Sequence, residues 1–69
     1  MVIKRGQDNK WFIEHEGAQA PYEVIYAGDG IFSIFYIVDE ATKYPVAVLQ
    51  DAKSCERMAL MHHYSRQRT

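Results

Sequence analysis

Residues 22–38 read YEVIYAGDGIFSIFYIV. Two β-rich runs flank Gly28-Asp29-Gly30, three residues that tolerate positive φ, so the stretch is a hairpin. With Asp29 and Gly30 as the loop, Gly28 pairs with Ile31, Ile25 with Ile34 and Val24 with Phe35. Alternate residues of a strand point to opposite faces. One face then carries Tyr22, Val24, Tyr26, Ile31, Phe35 and Ile37. The other carries Ile25, Phe32, Ile34, Tyr36 and Val38, with Glu23 at its margin. A three-residue loop swaps these partnerships. Both faces are apolar, and the rest of the chain must cover them.

On the N-terminal side, Lys10–Glu16 (KWFIEHE) alternates as a strand, and Val2–Arg5 (VIKR) reads as a shorter one. GQDN between them is rich in turn formers, and GAQAP at 17–21 reads as a loop closed by Pro21. On the C-terminal side, DEATK at 39–43 is a polar turn. YPVAVL at 44–49 is a strand, and Pro45, which has no N–H to donate, marks it as an edge. Asp51 is placed as an N-cap for a helix running from Ala52 to about Ser65. Ala52, Cys55, Met58, Ala59 and His62 form its core stripe, from which Lys53, Glu56 and Arg57 fall away. Leu60, Met61 and Tyr64 widen its apolar surface. The fold expected is one α+β domain over residues 1–69, an antiparallel meander of about four strands with the helix on one face.

With 69 residues, 48 % hydrophobic and 25 % charged, the chain is ordinary globular material near the lower size limit for an unstapled domain. A net charge of −1 gives no global field for nucleic acid or membranes. Cys55 is the lone cysteine, so no intramolecular disulfide exists, and a reducing, cytoplasmic setting is expected. The first ten residues contain no apolar signal region, and no apolar run is long enough to cross a bilayer.

The residues that bear chemistry do not assemble into a catalytic pattern. Cys55 and His62 share a helix face two turns apart, but no CxxC, HxxxH or HExxH spacing accompanies them, so no metal or cofactor is expected. Cys55 as a thiol nucleophile beside a histidine is the enzymatic reading. Its place on the core stripe favours a buried structural cysteine. Glu14 with Glu16, and Asp39 with Glu40, are solvated charges at strand ends and turns. GDG precedes no helix and is no phosphate cradle. The sequence predicts a protein that is not an enzyme.

One helix covers one face of a sheet. The other face is left for a protein partner or a second copy of the chain. Tyrosine is also an ordinary half-buried strand residue, yet aromatic residues, Met and Arg are those enriched at interfaces. The interface set expected is Trp11, Tyr22, Tyr26, Phe35 and Tyr36. If the helix takes that face instead, Phe32, Ile34 and Tyr36 become the open set. In size and lack of motifs the chain is in the style of phage or mobile-element accessory proteins that bind and modulate a host protein, anti-CRISPR inhibitors among them.

The alternative is a nucleic-acid module using Lys4, Arg5, Lys10, Arg66 and Arg68, with exposed aromatics stacking on bases. Residues 3–11, IKRGQDNKW, resemble the start of the arm-binding domain of tyrosine integrases, a three-stranded sheet with a helix. That resemblance implies basic residues on the groove-entering strands. Strands 22–26 and 31–38 here carry no Lys or Arg, which removes the main source of affinity for phosphate.

Overall fold

A computed structural model describes residues 1–67. Five strands precede one helix: β1 (Val2–Arg5), β2 (Lys10–His15), β3 (Ala18–Tyr26), β4 (Phe32–Asp39), β5 (Thr42–Leu49) and α1 (Ala52–Gln67). The strands form a single antiparallel sheet in the order β1-β2-β3-β4-β5, and α1 lies across one face. The fold is the α+β meander read from the sequence, with five strands in place of about four because VIKR pairs fully with β2.

Each turn follows from its residues. Glu16 and Gly17 both have positive φ (54° and 81°), the backbone of a two-residue primed turn. The segment GAQAP is therefore not a loop: β3 already begins at Ala18. Pro21 falls where the β2–β3 register shifts, a place where a missing N–H disturbs the ladder least. At the β4–β5 turn the Asp39 carboxylate accepts the Ala41 N–H at 2.8 Å.

The central hairpin differs from the expected register. Ala27 donates to the Ile31 carbonyl at 2.8 Å, leaving Gly28, Asp29 and Gly30 as a three-residue loop, all at positive φ. Tyr22 pairs with Tyr36, Val24 with Ile34 and Tyr26 with Phe32. The pairings Ile25–Ile34 and Val24–Phe35 are thus corrected by one residue. The shift puts Tyr22, Val24 and Tyr26 on the same face as Phe32, Ile34 and Tyr36, and that face receives the helix.

The core lies between this face and α1. Ile13, Tyr22, Val24, Ile34, Cys55 and Ala59 are fully buried. Each large apolar side chain among them contributes about 1.5–3 kcal/mol by leaving water. Trp11 meets Phe32 edge-on at 5.3 Å, and Tyr26 packs on Phe32 at 4.9 Å. The helix supplies small residues, Ala52, Cys55 and Ala59, so its backbone sits close to the tall side chains of the sheet. Asp51 caps it as expected, accepting the Ser54 N–H at 2.7 Å. β5 is an edge, as Pro45 indicated.

Glu56 departs from its expected place on the solvent side. Its carboxylate accepts the Ile3 N–H at 2.8 Å, so the last element of the chain finishes the edge of the first. No helix of the described residues is long and apolar enough to cross a membrane.

Candidate functional site: the open face of the sheet

The face opposite α1 is built by the strand register. One row crosses all five strands: Lys4, Phe12, Glu23, Phe35, Pro45. A second runs Lys10, Ile25, Ser33, Val48, and Ile37 pairs with Lys43 beside them. Phe12, Ile25, Phe35 and Ile37 are half-buried, and among the described residues no element lies over them. They form an apolar floor set within the sheet.

Charges cross this floor in pairs. Glu23, on the central strand, has a side chain only 14 % exposed. One of its oxygens lies 3.9 Å from the Lys10 ammonium and the other holds Lys43. Lys4 pairs with Glu14 at 3.1 Å. Each lysine head on this face meets a carboxylate. Beside Glu23 a groove of about 510 Å³ is bounded by Gln7 and Asp8 of the β1–β2 turn, by Lys10 and Gln19, and by Phe12 and Ile37. Gly6 lets this turn fold tightly: a Cβ there would stand 2.6 Å from the Lys10 carbonyl oxygen.

The sequence-predicted interface residues divide unequally. Phe35 lies on the open face. Trp11, Tyr22, Tyr26 and Tyr36 lie on the helix side, Tyr22 with no exposed surface. Phe12, Ile25, Ile37 and Glu23 complete the open face and were not in that set. The alternation within YEVIY held the clue: the face that carries Glu23 is the one that meets water.

The cationic set is dispersed in the same way. Lys4 and Lys10 are on the open face, each facing a carboxylate. Arg5 lies on the helix side, 6.0 Å from the Trp11 ring. Arg66 donates to the Tyr36 hydroxyl at 3.0 Å and stacks over that ring at 4.4 Å. Arg68 lies outside the described residues.

Beneath the C-terminal half of α1 is a polar aromatic cluster. The Tyr22 hydroxyl is 2.7 Å from His62 Nδ1, and both rings lie near Tyr36. Burial pushes the Tyr22 hydroxyl pKa up, and burial followed by the Arg66 charge pulls His62 down. His63 joins from the same helix, 3.3 Å from Arg66, with its ring 5.0 Å from that of His15. Cys55 is fully buried, and desolvation raises its thiol to about 11. A thiol in that state is a poor nucleophile. Among the described residues no group of three or more His, Cys, Asp or Glu side chains is placed to hold a metal ion.

Compared with protein-family models, with curated proteins and with solved structures, the chain matches none.

Proposed function

We propose that this chain is a non-enzymatic binding module that docks a protein partner on the open face of its sheet. The observation that carries the reading is the floor of Phe12, Ile25, Phe35 and Ile37, half-buried with no element of the described residues over it while the single helix is spent on the other side. An aromatic and aliphatic centre with charged groups around it is the composition of a protein interface. Glu23, Lys10 and Lys43 add a fixed charge pattern that selects orientation.

Nucleic acid is the weaker reading. Lys4, Lys10 and Lys43 already face Glu14 and Glu23, so a phosphate would have to displace a carboxylate at each. A single free cysteine, Cys55, is the feature that supports a reducing cytoplasmic setting. A small accessory protein of the phage or mobile-element kind, inhibiting a larger host protein by occupying one of its surfaces, is an instance of this reading.

The test is affinity capture from lysate of the source cell, comparing wild type with Phe35→Glu and Ile25→Glu, and with Tyr64→Ser on the outer side of α1 as control. A protein held by wild type and by the control, but released by both open-face changes, supports the reading. Retention by all variants overturns it. Salt-sensitive binding of wild type to random duplex or single strands would favour the nucleic-acid reading instead.

A further inference from the structure

The two edges of the sheet are finished differently. On β1, the Ile3 N–H is taken by the Glu56 carboxylate at 2.8 Å, and Lys4 and Arg5 follow it. A side chain stands there where a neighbouring strand would otherwise pair. On β5, Pro45 and two register shifts, the second at Val46, interrupt the first five residues. From Ala47 to Leu49 the strand is regular, paired with Ile34, Ser33 and Phe32. Alternate residues of an edge strand direct N–H and C=O away from the sheet. Among the described residues no side chain hydrogen-bonds to the backbone of β5.

Charge does not guard this edge either. Lys43 is the only charged residue of β5, and its ammonium is drawn inward onto Glu23. Val48 is 69 % exposed and Tyr44 57 %. The strand therefore ends in a bare, uncharged AVL segment at 47–49 with its pairing groups available.

We propose that β5 pairs antiparallel with β5 of a second copy, joining two sheets into one across a twofold axis. A strand paired with itself this way is self-complementary, because each residue meets the same partner in both copies. With the axis at Val48, Val48 of one copy meets Val48 of the other, and Ala47 meets Leu49, each pair on one face of the joined sheet. Assembly stops at two, since the remaining edge of each sheet is the β1 edge finished by Glu56. Both open faces stay available in this dimer.

The test is solution mass by light scattering over a concentration series, together with amide exchange in wild type. The expected mass rises from 8.0 kDa toward twice that value, and amides of Ala47–Leu49 exchange more slowly as concentration increases. Val48→Lys, at an exposed site, should stay at the single-chain mass with an unchanged thermal melt. Phe35→Glu should still double. Three results overturn the proposal: a single-chain mass at all concentrations, doubling that survives Val48→Lys in a folded variant, or doubling that Phe35→Glu abolishes. The last would place the contact on the open face. Should Val48→Lys fail to fold, the concentration dependence of β5 amide exchange decides alone. Partner capture is read with Phe35→Glu and Ile25→Glu, which lie off the β5 edge, so either reading can fail without the other.

Discussion

The Tyr22 hydroxyl and His62 Nδ1 meet at 2.7 Å between the central strand and the helix. With the imidazole neutral and its proton on Nε2, the hydroxyl donates to Nδ1. With it protonated, Nδ1 becomes a donor and the bond must reverse beside the Arg66 guanidinium, which donates toward the same hydroxyl at 3.5 Å. The neutral form is the one that fits.

This gives stability a pH dependence of defined sign. Burial first, and Arg66 second, lower the folded pKa of His62 below its ordinary 6.5. Its contribution is complete above that value and is lost as pH falls toward and through the folded pKa. Melting temperatures from pH 8 to pH 5 should fall in the acid half. His62→Gln should flatten that part of the profile.

Tyr22→Phe keeps the ring and removes the hydroxyl. It leaves His62 without its partner and takes an acceptor from Arg66, a loss of about 1–3 kcal/mol. Urea unfolding should show a lower midpoint with the same slope, because the surface buried on folding is nearly unchanged.

Glu56→Ala should expose the β1 edge. The cost is about 0.5–1.5 kcal/mol for one hydrogen bond at a partly buried site. The specific readout is amide exchange at Ile3, which should accelerate more than exchange at Ile13, within the sheet.

Gly6→Ala should strain the first turn. The added methyl lies 2.6 Å from the Lys10 carbonyl oxygen, which is backbone and cannot swing aside. A loss of about 1–3 kcal/mol is expected, as for other overpacked sites. Shift changes in an amide spectrum should centre on residues 6–12, where the turn borders the groove.

Cys55 should resist alkylation in the native protein. The thiol is fully buried and its pKa stands at about 11. Iodoacetamide at pH 8 should label it slowly in buffer and promptly in urea. Fast native labelling would show that α1 opens readily.

Helix, cap, edge proline and strand sequence were legible because each rests on a local signal: Asp51 before a periodic run, Pro45 at a strand start, alternation in 10–16 and 22–38. The register of the central hairpin was not. Gly28-Asp29-Gly30 suits a two-residue or a three-residue loop equally, since all three positions accept positive φ. One residue of slip carries Phe35 to one face and Phe32, Ile34 and Tyr36 to the other. Tyr22 and Tyr26 therefore share the helix side with Tyr36, and Phe35 lies opposite them. The role of Glu56 was hidden for another reason. It is set by how α1 crosses β1, a tertiary geometry that helical spacing alone does not contain.

The contact between Ile3 and Glu56 spans 53 positions, whereas every strand pairs only with its sequence neighbours. During synthesis the meander can thus zip up hairpin by hairpin as it leaves the ribosome, each step closing a short loop at small entropic cost. The helix is made after all five strands, and its docking both roofs the aromatic face and ties off β1. Until that moment a nascent chain has a sticky face and a raw edge together. The interval between finishing β5 and docking α1 is when this protein is most exposed to misassembly.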